Sequence, residues 1–254
     1  MEKIKEKRKN MPRLGGRKLH YLLEKDGIHM GRDKLFELLR NNSMLVYKKK
    51  LKVYTTQSKH WLKKYSNLIE GLEVTMPNKL WVSDITYVII DTWFAYLFLI
   101  TDAYSRKIIG FCLSKSLEAD GGIEALKMAL SEVEWHNRAG MIHHSDRGVQ
   151  YCSNNYVKLL ETSHMLISMT QNGDPYENAL AERVNGVLKE EWIHNEHFTD
   201  FEQAKTRIAE IIRIYNNERP HSSCNMLTPQ QAHQCTGKLK KHWKNYKRNV
   251  TDGK

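Results

Sequence analysis

Cysteine is scarce. Cys112, Cys152, Cys224 and Cys235 are the chain's four, and no two of them form a C-x-x-C pair. That spacing supports neither a zinc ribbon nor a disulfide framework, so reduced thiols in an intracellular protein are expected. Fourteen glycines and five prolines in 254 residues are too few for a fibrous or low-complexity chain, and 41% hydrophobic residues suffice for a core. No stretch reaches the roughly 18 uninterrupted apolar residues that cross a bilayer. The opening M-E-K-I-K-E-K-R-K also lacks an apolar signal core. These absences point to a globular, cytoplasmic chain with no membrane partner.

Positive charge is abundant and unevenly placed. The net charge is +11; residues 1–65 hold 19 Lys or Arg against 6 acids, residues 66–236 hold 14 against 22, and residues 237–254 hold 7 against 1. Basic arms around an acidic middle suit a protein that grips a polyanion and carries metal-binding carboxylates at its centre. Solubilising tails would produce the same totals.

Three acids stand in informative settings. Asp84 interrupts the apolar run L-W-V-S-D-I-T-Y-V-I-I, Asp146 ends A-G-M-I-H-H-S-D, and Glu182 lies in the helical pattern N-A-L-A-E-R-V-N-G-V-L-K-E. Carboxylates in or at the end of buried strands are costly to keep ionised and dry. Three of them suggest a divalent cation held between them, Mg²⁺ by the all-oxygen donor set, with Mn²⁺ as a substitute. Two such ions about 3.5 to 4 Å apart activate an attacking oxygen and stabilise a leaving one at a phosphodiester. Singly, Glu182 would be a solvated helix residue and Asp146 a turn former before Arg147-Gly148; the three together carry the inference. Lys189 lies seven residues after Glu182, almost two helical turns, so both leave one helix face and the lysine is placed to meet a phosphate. His143 and His144 read as strand-end packing or hydrogen-bonding residues, and the pair His194 and His197 as incidental rather than a zinc site.

The order of elements is legible from periodicity. Residues 14–45 read as helix, Gly-containing turn, helix, with Leu19, Leu22 and Leu23 on one apolar stripe and Leu35, Leu38 and Leu39 on the other. That outline matches a helix-turn-helix, or any small helical hairpin, with Arg32, Lys34 and Arg40 available on the second helix for DNA. Lys48, Lys49, Lys50, Lys63 and Lys64 follow among Tyr47, Tyr54, Trp61 and Tyr65, either a solvated linker or one that touches DNA. Leu80 to Ile90, Trp93 to Ile100 and Lys107 to Leu113 form a three-strand meander. A helix over Leu117 to Val133, a strand over Gly140 to His144, a helix capped by Ser153, a strand over Met165 to Met169 and a helix from about Glu177 to Trp192 come next. Val184, Leu188 and Trp192 are the stripe that seats the last helix. The loop Gln171 to Tyr176 reads as a turn or as a flap that orders on DNA. An α/β chain with this order has a ribonuclease H-like core. The expected domains are a helix-turn-helix region (1–46), a basic linker (47–74), a catalytic core (75–235) and a basic tail (236–254).

W-V-S-D-I-T-Y (81–87), D-A-Y-S-R-K-I-I-G (102–110), H-S-D-R-G-V-Q-Y (144–151), N-A-L-A-E-R-V-N-G-V-L-K-E-E (178–191), Y-N-N-E-R-P-H-S-S (215–223) and L-T-P (227–229) together resemble the integrase-type core of bacterial insertion-sequence transposases of the IS3 group. The resemblance implies that Asp84, Asp146 and Glu182 are the metal-binding catalytic triad and Lys189 the associated basic residue. It also implies nicking at the element's ends to free a 3′-OH, then transesterification by that hydroxyl. Terminal repeats and target DNA would be the substrates, a homo-oligomer on DNA the working form, and an upstream reading-frame product a partner, in a nucleoid-associated protein. Cys224-Asn225-Met226 departs from the family's more usual Leu-Gly-Tyr, away from the triad. A nuclease that does not join strands, or a DNA-binding remnant with a dead core, would share several of these features.

Overall fold

The computed structural model describes residues 1–47, 60–171 and 178–242. Lys48, Lys49 and Lys50, most of the Gln171 to Tyr176 loop and the end of the basic tail lie outside the described residues.

Three strands form the meander that the β-branched and aromatic runs require: β1 (Leu80–Ile90), β2 (Trp93–Asp102) and β3 (Ile108–Ser114). Two short strands, β4 (Ile142–Ser145) and β5 (Leu166–Met169), extend the sheet in parallel on the other side of β1. The sheet order is β3-β2-β1-β4-β5, with β1 in the middle. β2 runs two residues beyond the expected Ile100. Its end is fixed by the buried Asp102 carboxylate, which accepts from the Asn78 and Ser105 backbone N–H groups and from Ser105 Oγ.

Side chains alternate between sheet faces, and each face has its own core. Trp81, Ile85, Phe98 and Ile100 point to one, where α4 (Ala119–Ser131) and α5 (Asn154–Thr162) cover them. Val88, Ile90, Leu97 and Leu99 point to the other, beneath α6 (Ala179–Glu191) and α7 (Phe201–Asn217). Val184, Leu188 and Trp192 are all buried there. Asp84 shares the parity of Val88 and therefore faces α6. Ser153 occupies the N-cap of α5 without capping it; its hydroxyl donates to the Gln150 carbonyl instead. The L-T-P motif begins α8 (Pro229–Ala232), with Thr228 and Gln231 forming a reciprocal capping box ahead of Pro229.

The amino-terminal helices, α1 (Glu2–Asn10), α2 (Gly16–Lys25) and α3 (Arg32–Asn41), share the α6–α7 core through Ile4, Leu14, Leu19, Leu23, Leu35 and Leu39. The Trp192 indole donates to the Asn10 carbonyl at 2.8 Å, and Glu191 holds Lys18 at 3.4 Å and Arg219 at 2.6 Å. The described half of the expected linker is laid on the core: Leu62 and Tyr65 pack against it, and the Leu68 N–H donates to Ser168 Oγ.

Candidate active site

Register brings the first two acids together. β1 and β4 are parallel neighbours, with Val82 paired to His144. Asp84 and Asp146 each lie two residues beyond that pair, so they leave the centre of the sheet side by side. Glu182 arrives from the first turn of α6, whose apolar stripe seats it across β1.

Electrostatics bear the mark of this crowding. Burial, then the Asp146 charge, pushes the Asp84 carboxyl up to about 7; Glu182 adds to the rise, while hydrogen bonds from Asn185 and the Ile85 N–H oppose it. Glu182 is exposed, yet partial burial and the Asp146 charge raise its carboxyl too. Asp146 Oδ1 accepts the Gly148 N–H at 2.9 Å, which fixes one oxygen and turns the chain. Among the described residues no three His, Cys, Asp or Glu side chains stand close enough together to hold a metal ion. The carboxylates therefore feel one another's charge without forming a ready-made ligand cluster.

Lys189 leaves the same face of α6 as Glu182. Its ammonium lies 3.8 Å from the Tyr87 ring centroid, and burial lowers its pKa to about 8 against the opposing pull of Asp84. Asn185 also lies on this face, and sequence reasoning missed it. Its Nδ2 donates to Asp84 Oδ2 at 2.7 Å, while its Oδ1 has no described partner although the residue is 6% exposed. Its spacing of three from Glu182 was the available signal. His143 is a buried hydrogen-bonding residue: Nε2 lies 2.7 Å from Ser83 Oγ and 2.9 Å from the Tyr156 hydroxyl. His144 Nδ1 lies 2.9 Å from Ser168 Oγ.

The other basic positions lie on other elements, and the segment that carries Lys63 and Lys64 is held beside the Asp146 turn by His60 Nε2, 2.8 Å from the Arg147 carbonyl. Lys34 and Arg40 are exposed on α3, and Arg32 is exposed there too but paired with Asp33 at 2.9 Å. Lys63 and Lys64 are exposed on the segment before β1, with Lys63 4.8 Å from the Tyr65 ring centroid.

Two family profiles, each described as an Integrase core domain, match residues 74–175 and 163–229. The Insertion element IS600 uncharacterized 31 kDa protein of Shigella sonnei is 36% identical over 217 residues, 85% of this chain and 79% of that protein. Transposase InsF for insertion sequence IS3A of Escherichia coli is 37% identical over 176 residues, 68% of this chain and 60% of that protein. The HTLV-2 integrase catalytic core domain superposes with a TM-score of 0.50 at 18% identity, covering 62% of this chain and 97% of that one. A chain of the simian T-cell lymphotropic virus intasome gives 0.54 at 16% identity, covering 90% and 76%. At such identities the likeness is one of fold, the ribonuclease H-like integrase core. Taken with the insertion-sequence relatives, these matches show that the chain belongs to the IS3-group transposases, polynucleotidyl transferases with an integrase-type core.

Proposed function

We propose that this chain nicks DNA at the ends of an insertion sequence and joins the freed 3′-OH to target DNA, using Asp84, Asp146 and Glu182 as its metal-holding catalytic centre. One observation carries the reading: the β1–β4 register sets Asp84 and Asp146 side by side at the middle of the sheet, under the helix that bears Glu182, where burial and the neighbouring charges raise the Asp84 carboxyl. Side chains that repel one another at the middle of a sheet are costly to the fold and fit a site built for a cation. The donor chemistry fits as well, since all three offer only carboxylate oxygens, the ligands that Mg²⁺ and Mn²⁺ prefer. Bound there, a divalent cation supplies Lewis acidity and charge neutralisation at a phosphodiester. Because the three acids form no ready-made cluster, the proposal requires Glu182 to close on Asp84 and Asp146 when cation and DNA are present.

The remaining work falls to the chain's own groups. Asn185 holds one Asp84 oxygen in place and leaves the carboxylate its other donor electrons. Lys189 sets a cation on the Glu182 face of α6, within reach of a phosphate beside the cleaved bond. The exposed Lys34 and Arg40 of α3, with Lys63 and Lys64, add further DNA contacts, as Lys48, Lys49 and Lys50 would. Holding two element ends calls for a homo-oligomer on DNA, with an upstream reading-frame product as a possible partner in end recognition.

The test incubates purified protein with labelled end DNA and Mg²⁺, with EDTA in a parallel series. Nicked and joined products that disappear with EDTA support the proposal; nicks without joining reduce the chain to a nuclease, and metal-independent or absent products overturn it.

A further inference from the structure

Two faces of α6 address different surroundings. Glu182, Asn185 and Lys189 face β1, whereas Ala179, Arg183 and Val187 lie about 100° round the helix. This second face borders a cavity of about 590 Å³ shared with α2, the turn after β2 and the loop after α7. Its polar lining includes Lys18, Arg106, Arg183, Arg219, His221 and Ser222, and among the described lining residues none is acidic.

The donors of this cavity are incompletely used. Arg219 is 1% exposed and directs Nε and Nη2 to Glu191 at 2.8 and 2.6 Å, which leaves Nη1 without a described acceptor. His221 is 8% exposed; its Nδ1 lies 2.9 Å from Ser223 Oγ and its Nε2 has no described partner. Burial, together with Arg219, Lys18, Arg106 and Arg183, holds this ring neutral. In the tautomer whose Nδ1 accepts from the serine, Nε2 carries the proton and is a donor. Arg183 is exposed and makes no hydrogen bond or ion pair with a described residue. Glu191 offsets one of the four cations. Buried donors without acceptors are costly unless a ligand completes them.

A neighbouring cavity of about 800 Å³, which also includes Lys18, Arg183 and Ser222, reaches Gly15 and Gly16 at the start of α2. No side chain caps that helix, so its first N–H groups add to the same anion-attracting field.

We propose that this cationic cavity binds a backbone phosphate of DNA, at a contact separate from the Asp84–Asp146–Glu182 centre. The inference rests on the reading of the chain as a DNA transposase. The phosphate would complete the Arg219 and His221 donors and engage Arg183. Because Lys18 comes from α2 and the other cations from the core, it would also tie the amino-terminal helices to the helix that carries Glu182.

The full chain is titrated against a fluorescent DNA duplex by anisotropy, without divalent cation, over a salt series. Arg183→Ala should weaken binding about tenfold and reduce the steepness of the log affinity against log salt line by about 0.9, the release expected for one phosphate contact. Arg183→Lys should retain most of that slope. Arg213→Ala, which removes an exposed charge from α7 away from the cavity, should stay within about twofold of wild type. Arg183→Ala and Arg213→Ala behaving alike would overturn the proposal and leave the transposase reading intact. Inorganic phosphate at constant ionic strength provides the second arm. If it raises the melting temperature of wild type but not of Arg183→Ala while the DNA slope is unchanged, the cavity takes a small anion and the DNA assignment fails. A wild-type chain that binds no duplex would sink the transposase reading, and this proposal with it.

Discussion

Asn185 shows how much a single side chain can carry at this centre. Its Nδ2 donates to Asp84, and that hydrogen bond opposes a carboxyl that burial and two neighbouring acids drive towards neutrality. Asn185→Ala should lower the Mg²⁺-dependent nicking rate by about 10- to 100-fold and raise the Mg²⁺ concentration needed for half-maximal rate, as loss of a group that orients a ligand does. A metal titration of the initial rate checks both. His143 offers a separate test, of stability. Burial, then the neighbouring His144, lowers its pKa to about 3, whereas the unfolded chain titrates near 6.5. Between those values the unfolded state binds the extra proton, so the stabilisation is complete above pH 6.5 and declines as pH falls towards 3. At pH 5.5 the loss from this group is on the order of 1 kcal/mol. Urea midpoints between pH 7.5 and 5.5 should show it, and His143→Phe should remove this share of the slope. Asp84 stood out in the sequence as a carboxylate in an apolar run, whereas Asp146 and Glu182 drew notice only in combination with it. Asn185 drew none, since a neutral amide on a helix is unremarkable until its partner across the sheet is known.

At the scale of elements, Gly110 shows what allows α4 to approach β3. A Cβ on Gly110 would lie 2.1 Å from the Ala125 carbonyl oxygen and 2.9 Å from the Ala129 Cβ, so helix and strand backbones meet there without a side chain between them. Gly110→Ala must push α4 away, and should cost about 1 to 3 kcal/mol in urea denaturation, with the sheet order retained. The meander was readable because its three runs are rich in β-branched and aromatic residues and broken by turn residues; β1 begins at Leu80 and ends at Ile90 as the pattern requires. Strand and helix ends were less so. The second strand was expected to end at Ile100, but hydrogen bonds from Asn78 and Ser105 keep Asp102 inside β2. Lysines likewise made residues 60–74 read as part of a basic linker, solvated or touching DNA, although Leu62 and Tyr65 bind that stretch to the core. Contacts of this kind depend on tertiary neighbours that no local pattern records.

In the whole molecule, α6 is where the parts meet. Its β1 face brings Glu182 and Lys189 to the central strand, its buried stripe joins the core beneath the sheet, and at its end Glu191 and Trp192 hold Lys18, Arg219 and the Asn10 carbonyl. Burial alone would raise the Glu191 carboxyl, but the charge and hydrogen bonds of Arg219, with those of Lys18, hold it below the usual carboxylate range. These polar contacts add to the shared apolar core in fastening the amino-terminal helices to the end of α6. The charge blocks in the sequence anticipated basic ends and an acidic centre, but not that Lys18 of the amino-terminal block would pair with Glu191 at the end of α6. In the proposed mechanism three acids, from β1, the end of β4 and α6, act as one catalytic centre. Its most direct test is the single-turnover rate of joined product on labelled end DNA for Asp84→Asn, Asp146→Asn, Glu182→Gln and their pairs. The account predicts a loss of at least about 10³-fold for each single variant, little further loss in the pairs, and melting temperatures no lower than wild type for Asp84→Asn. A single variant that joins DNA at close to the wild-type rate would contradict it.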